Sequence, residues 1–220
     1  LNKKLDKLNQ LKEKLLQKHS FSYPFVSQSL NLPIASLILA GGKSSRMGTD
    51  KALVLYKNKP MLQRVYQVAA SCTEQVYVLT PWKERYQNIL PSDCNYILET
   101  QPGKGPVNGL SEGLTQISAD WILLLACDLP LLDVEIIQSW INKLAQIPTS
   151  TLALVPRRAD IWEPMCGFYR KEAKTELDSF LESGKRSFQE LLSSIEVEIL
   201  NVDGKADLML FNCNSPGDLE

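Results

Sequence analysis

The run from Trp121 to Ala126 is apolar at every position and leads into Cys127, Asp128, Leu129 and Pro130. Successive residues of a strand face opposite sides of a sheet, so a run that is apolar throughout needs both faces covered. A mostly parallel sheet held between helical layers meets that demand. Three further apolar runs, Ile34 to Ala40, Val76 to Leu79 and Tyr96 to Leu98, also read as strands. The segments Met61 to Ala70, Val107 to Ile117 and Asp133 to Leu144 instead carry helical spacing. Strand and helix taking turns is the pattern of βαβ crossovers. The expected fold is therefore α/β, a Rossmann-like three-layer sandwich with a mostly parallel central sheet. In such sheets ligands bind beyond the carboxyl ends of the strands.

Beyond Val155 the alternation weakens, with strands expected at Leu152 to Val155 and Cys166 to Tyr169, and helices at Lys171 to Leu181 and Phe188 to Leu192. At 220 residues and 44% apolar content the chain can bury one sizeable core. Leu1, Leu5, Leu8, Leu11 and Leu15 recur among lysines, which marks an amphipathic helix, and Ser20 to Pro33 reads as a linker. Residues 1–33 are thus an extension, docked on its own domain or partly disordered, or else a coiled-coil or membrane-surface contact, and residues 34–220 are the main domain. Within it, 34–135 form one half and 136–220 the other. A net charge of −1 excludes a general nucleic-acid surface. Five cysteines without paired spacing, no signal-like apolar core and no membrane span point to a cytoplasmic protein.

The segment after the first strand, Gly41 to Lys51, combines glycines, serines, Arg46 and Lys51. Glycines let backbone N–H groups approach a phosphate chain, hydroxyls add donors, and the two cations offset triphosphate charge. The spacing matches neither a Walker A loop nor a dinucleotide fingerprint. Asp128, delivered to the carboxyl edge by the apolar run, can hold Mg²⁺, a cation that keeps most of its waters and bridges to substrate phosphates. Pro130 rigidifies the exit, and Asp133 is placed to cap the following helix.

The stretch from Leu39 to Ala52 resembles the signature of the molybdenum cofactor guanylyltransferases, within the glycosyltransferase-A-like nucleotidyltransferases. The resemblance implies a nucleotide-diphospho-sugar transferase-like fold and contacts to GTP from Leu39, Ala40, Gly41, Gly42 and Lys51. It makes Arg46, Lys51 and Asp128 catalytic, with Asp128 the Mg²⁺ ligand. Gln101 to Leu110 is similar to the family's second glycine element, which adds Gly105, and Asn108 or Lys104 as polar contacts; the start of a helix explains Lys104 equally well. The family usually carries an aspartate where this chain has Thr100, so Glu99 and Thr100 are the candidates beside the base or ribose.

The ending from Phe211 to Leu219 resembles the family's last motif, which assigns Asn212 and Asn214 to the acceptor. On a strand these two amides would share one face. Glu163 to Tyr169 and Gly184 to Phe188 look like further acceptor elements. Lys185 and Arg186, with Arg157 and Arg158, would supply charge there or serve as solvated surface groups. The only histidine is His19, outside the main domain. A histidine base in the core is therefore excluded, and an ionised phosphate nucleophile needs none. The expected reaction joins GTP to molybdenum-molybdopterin, with transient contacts to molybdoenzymes or other cofactor-biosynthesis proteins. The alternatives are a cytidylyltransferase for the same cofactor or a sugar or polyol phosphate, and a non-catalytic nucleotide-binding adaptor.

Overall fold

The structure is a computed structural model that describes residues 32–42 and 50–213. The expected N-terminal helix lies outside the described residues. In chain order, β1 (Ile34–Leu39) is followed by a 3-10 turn (Lys51–Leu53), a hairpin of β2 (Leu55–Tyr56) and β3 (Lys59–Pro60), and α1 (Met61–Cys72). Next come β4 (Gln75–Thr80), α2 (Lys83–Tyr86), β5 (Asn95–Leu98), α3 (Pro106–Gln116), β6 (Trp121–Ala126) and α4 (Val134–Ile141). The second half contributes β7 (Ala153–Arg158), β8 (Ile161–Trp162), β9 (Cys166–Arg170), α5 (Ala173–Glu182), α6 (Phe188–Leu192), β10 (Val197–Asn201) and α7 (Gly204–Met209).

The main sheet runs β10-β7-β9-β6-β1-β4-β5, with β8 paired to β7. β9 is antiparallel to both β6 and β7, while β6, β1, β4 and β5 are mutually parallel. β6 is buried along its whole length. Its alternate residues feed two cores: Leu123 and Leu125 face Leu62, Val65 and Trp140, and Ile122 and Leu124 face Leu110, Leu114 and Leu177. The sheet is therefore covered on both sides, as the apolar run requires.

α1 shows how sequence becomes packing. Met61, Leu62, Val65, Ala69 and Cys72 form its buried stripe, and each large apolar side chain so buried contributes about 1.5–3 kcal/mol. The helix ends where Thr73 turns extended; its N–H donates to the Ala69 carbonyl, and its hydroxyl pairs at 2.7 Å with that of Ser36 on β1.

Two boundaries differ from the sequence reading for local reasons. The helix expected to reach Leu144 stops at Ile141 and continues as a 3-10 turn over Leu144–Gln146, with Pro148 close behind to disfavour further helix. β7 continues past Val155 because Pro156 retains a carbonyl that accepts from the Glu163 N–H at 2.8 Å. The proline and two arginines end the apolar run without ending the strand.

Candidate functional site

β1 and β6 are adjacent and parallel, so their carboxyl ends open on the same edge. There a cleft of about 770 Å³ is lined by Leu39 to Gly42, Asp50, Lys51, Glu99, Gly103, Gly105, Pro106, Asp128 and Met165, among others. The Lys51 Nζ donates to Asp128 Oδ2 at 2.9 Å across a sequence separation of 77 residues, with both side chains largely buried. A charge-assisted bond of this kind holds both groups in place. The loop behind Asp128 is fixed from two sides. The Cys213 N–H donates to the Asp128 carbonyl at 3.0 Å, and Arg64 donates through Nε and Nη2 to the Pro130 carbonyl, both at 3.3 Å. Asp133 caps α4 by accepting from the Ile136 N–H, as read from the sequence.

Asp50 also lines the cleft, but both its oxygens are engaged. Oδ1 accepts from the Ala52 N–H at 3.1 Å, and Oδ2 accepts from the Tyr86 hydroxyl at 2.9 Å and from Arg85 at 3.4 Å. No group of three or more His, Cys, Asp or Glu converges among the described residues. The donor set at Asp128 is thus one carboxylate plus whatever substrate oxygens and water provide. That set fits Mg²⁺ and does not fit a metal that wants several imidazole or thiolate ligands.

Glu99 closes the opposite wall. It is buried, and its Oε2 has no hydrogen-bond partner. Burial pushes its pKa up, the nearby Glu112 charge pushes the same way, and a backbone bond from Gly103 opposes them. Gly41 faces it so closely that a Cβ at this position would stand 2.2 Å from Oε2. The space that a side chain at the first glycine of this loop would fill is therefore the space the carboxylate occupies.

The structure brings together Leu39, Ala40, Gly41, Gly42, Lys51, Glu99, Gly105 and Asp128. Arg46 and Asn214 lie outside the described residues. Thr100 is exposed and does not line the cleft; its N–H and hydroxyl donate to the Glu112 carboxylate at 2.9 and 3.1 Å. Asn108 donates to the same carboxylate at 2.8 Å. Lys185 and Arg186 sit in the turn after α5, where Lys185 lies over the Phe180 ring and Arg186 donates to the Leu181 carbonyl, away from the cleft lining. Asn212 follows α7 in irregular backbone, which corrects the expectation of a strand: Leu208 and Leu210 close the helix end, and the chain then turns to pair Cys213 with Asp128.

Tyr86 and Glu112 are the site residues that sequence reasoning missed, while Asp50 and Met165 lay inside the Gly41 to Lys51 and Glu163 to Tyr169 stretches without being singled out. Asp50 had a signal, an Asp directly before a short helical turn. Tyr86 had none, since its contacts join distant segments, and Glu112 had only its four-residue helical spacing from Asn108.

Residues 36–197 match the MobA-like NTP transferase domain family. A protein of Trichormus variabilis named a probable molybdenum cofactor guanylyltransferase is 45% identical over 186 residues, covering 84% of this chain and 88% of that protein. The molybdenum cofactor guanylyltransferase of Pseudomonas putida is 31% identical over 197 residues, covering 86% and 96%. Among solved structures, molybdopterin-guanine dinucleotide biosynthesis protein A from Archaeoglobus fulgidus shares the fold with a TM-score of 0.70 at 22% identity, covering 84% of this chain and 94% of its own.

Proposed function

The chain belongs to the MobA-like NTP transferase family, and from that premise we propose that it transfers GMP from GTP to the terminal phosphate of molybdenum-molybdopterin. A phosphate oxygen of the acceptor attacks the α-phosphorus, the bond to the β-phosphate bridging oxygen breaks, and pyrophosphate leaves with the electron pair. The observation that carries the reading is the Lys51–Asp128 pair inside a nucleotide-sized cleft at the strand ends. Lys51 holds phosphate, the backbone from Leu39 to Gly42 approaches the nucleotide, and Gly105 leaves the α3 start open to it. Asp128 would hold Mg²⁺, which would supply positive charge where the transferring nucleotidyl phosphate develops negative charge.

Base choice is assigned to Glu99. Guanine presents two neighbouring donors, N1–H and the 2-amino group, to a carboxylate; cytosine presents one donor beside acceptors. A Glu99 carboxylate in the cleft wall therefore favours guanine. Arg46 serves the triphosphate, and Asn212, Asn214, Lys185 and Arg186 serve the acceptor, on the resemblance of their motifs. The test is a panel of the four NTPs with molybdenum-molybdopterin, reading which nucleotide is incorporated. Incorporation of GMP with release of pyrophosphate supports the reading. Incorporation of CMP overturns the base assignment, and binding of GTP without pyrophosphate release overturns the enzyme assignment.

A further inference from the structure

Tyr86 ends α2 with no exposed surface, yet its hydroxyl meets two points that the sequence keeps apart. Its one proton is shared between two acceptors, the Ala40 carbonyl oxygen at 3.2 Å and the nearer Asp50 Oδ2 at 2.9 Å. Ala40 follows β1 at the near end of the glycine-rich segment, and Asp50 stands at its far end. We propose that Tyr86 is a positioning residue for nucleotide binding, its hydroxyl clasping these two stems together and thereby orienting Lys51 in the cleft. The inference rests on the nucleotidyltransferase reading of the site.

The coupling runs through hydrogen bonds of the backbone and one carboxylate. Asp50 Oδ1 caps the 3-10 turn through the Ala52 N–H, and Lys51 is the first residue of that turn. The Leu53 N–H donates to the Asp50 carbonyl at 3.0 Å, and the Val54 N–H to the Lys51 carbonyl at 3.2 Å. The far oxygen of Asp50 answers to Tyr86 and Arg85. Arg85 is the weaker hold: its contact is 3.4 Å, its side chain is half exposed, and its guanidinium stacks 4.2 Å from the Trp82 ring. Exposed ion pairs constrain little, whereas a buried hydroxyl bonded to a carboxylate has no water to replace it. Without the hydroxyl the stem that carries Lys51 loses its buried tie to the end of β1.

Tyr86→Phe keeps the buried ring and removes only the clasp, and Asp50→Asn keeps the cap oxygen while altering the group that faces Tyr86. Two readouts are taken on wild type, both single variants and the double variant: amide exchange at Ala52, Leu53 and Val54, and KM against kcat for the nucleotide the wild type turns over. Tyr86→Phe should raise exchange at these amides and nucleotide KM each by about tenfold, with kcat changed by less than about threefold. The double variant should be no worse than the more affected single one, because with the hydroxyl gone there is no Tyr86 bond left for the change at position 50 to alter. Unchanged exchange in Tyr86→Phe, fully multiplying effects in the double variant, or a lowered melting temperature with unaltered KM would each overturn the proposal. Amide exchange needs no nucleotide, so a wild type that ignores GTP counts against the substrate assignment while the clasp is still judged by its own readout.

Discussion

Asp128 faces a lysine and Glu99 faces a missing side chain, and that difference divides the work of two carboxylates in one cleft. Asp128 has its charge balanced in place and is suited to a metal. Asp128→Ala should abolish pyrophosphate release, by about 10³-fold or more, while circular dichroism shows the fold retained; activity persisting with Mg²⁺ would remove Asp128 from the chemistry. Glu99 carries an uncompensated oxygen and a raised pKa, caused first by burial and then by Glu112. A carboxyl that holds its proton more tightly when folded adds stability below its unfolded pKa and loses that stability as pH rises through the folded value. Glu99→Gln cannot ionise, so its melting temperature should gain on the wild type as pH rises from about 4, the ordinary carboxylate range, through the raised folded-state value. The same variant should lose preference for GTP over CTP. Parallel melting curves across that range would mean that Glu99 pays no cost for its charge. Lys51 and Asp128 were legible in the sequence because each adjoins a strong local pattern, a glycine-rich segment in one case and an apolar strand in the other. Tyr86 was not, since a tyrosine at the end of a four-residue helix says nothing about contacts 36 and 46 residues away.

At the scale of elements, the segment from β5 to α3 shows how a helix can discipline a binding loop. Glu112 takes the Thr100 N–H, the Thr100 hydroxyl and the Asn108 amide onto one carboxylate, fixing the chain immediately after Glu99. Where the resemblance expects an acidic side chain at position 100, this protein delivers a carboxylate to Thr100 from α3. Glu112→Ala should cost about 1 kcal/mol in chemical denaturation, given the partial exposure of these bonds, and should raise nucleotide KM more than it lowers kcat. A stability loss with unaltered KM would confine Glu112 to a structural part. The legibility of the elements follows burial. β6, apolar on both faces, and α6 were read with their observed limits, and α1, β4, β5, α3, β9 and α5 to within two residues. β10 was missed because it is an edge strand in which only Leu200 is buried and Ile199 is 41% exposed, leaving no apolar run to notice. The β2–β3 hairpin was missed because two-residue strands carry no periodicity; its turn is marked only by positive φ at Lys57 and Asn58.

For the whole molecule, one continuous sheet joins the two halves of the chain, since β6 from the first pairs with β9 from the second. The Met165 carbonyl accepts from the Ala126 N–H at 2.9 Å, so the second half supplies a wall of the cleft beside the strand that delivers Asp128. Among the described residues no helix is long and apolar enough to cross a membrane. A ligand in this cleft touches β1, the loop after β5, the start of α3 and the end of β6 together, and its binding should stabilise the fold as a unit. A ligand held only by the native state at about a hundred times its Kd adds about 2.7 kcal/mol. For a chain of this size each kcal/mol corresponds to about 2–4 °C. GTP with Mg²⁺ should therefore raise the melting temperature by about 5–10 °C under those conditions. GTP without Mg²⁺, or GTP with Mg²⁺ on Asp128→Ala, should give less than half of that shift, because the phosphate charge would then lack the cation that Asp128 would hold. An equal shift with and without the metal would remove Mg²⁺ from the site, and an equal shift with CTP would remove guanine from the Glu99 wall.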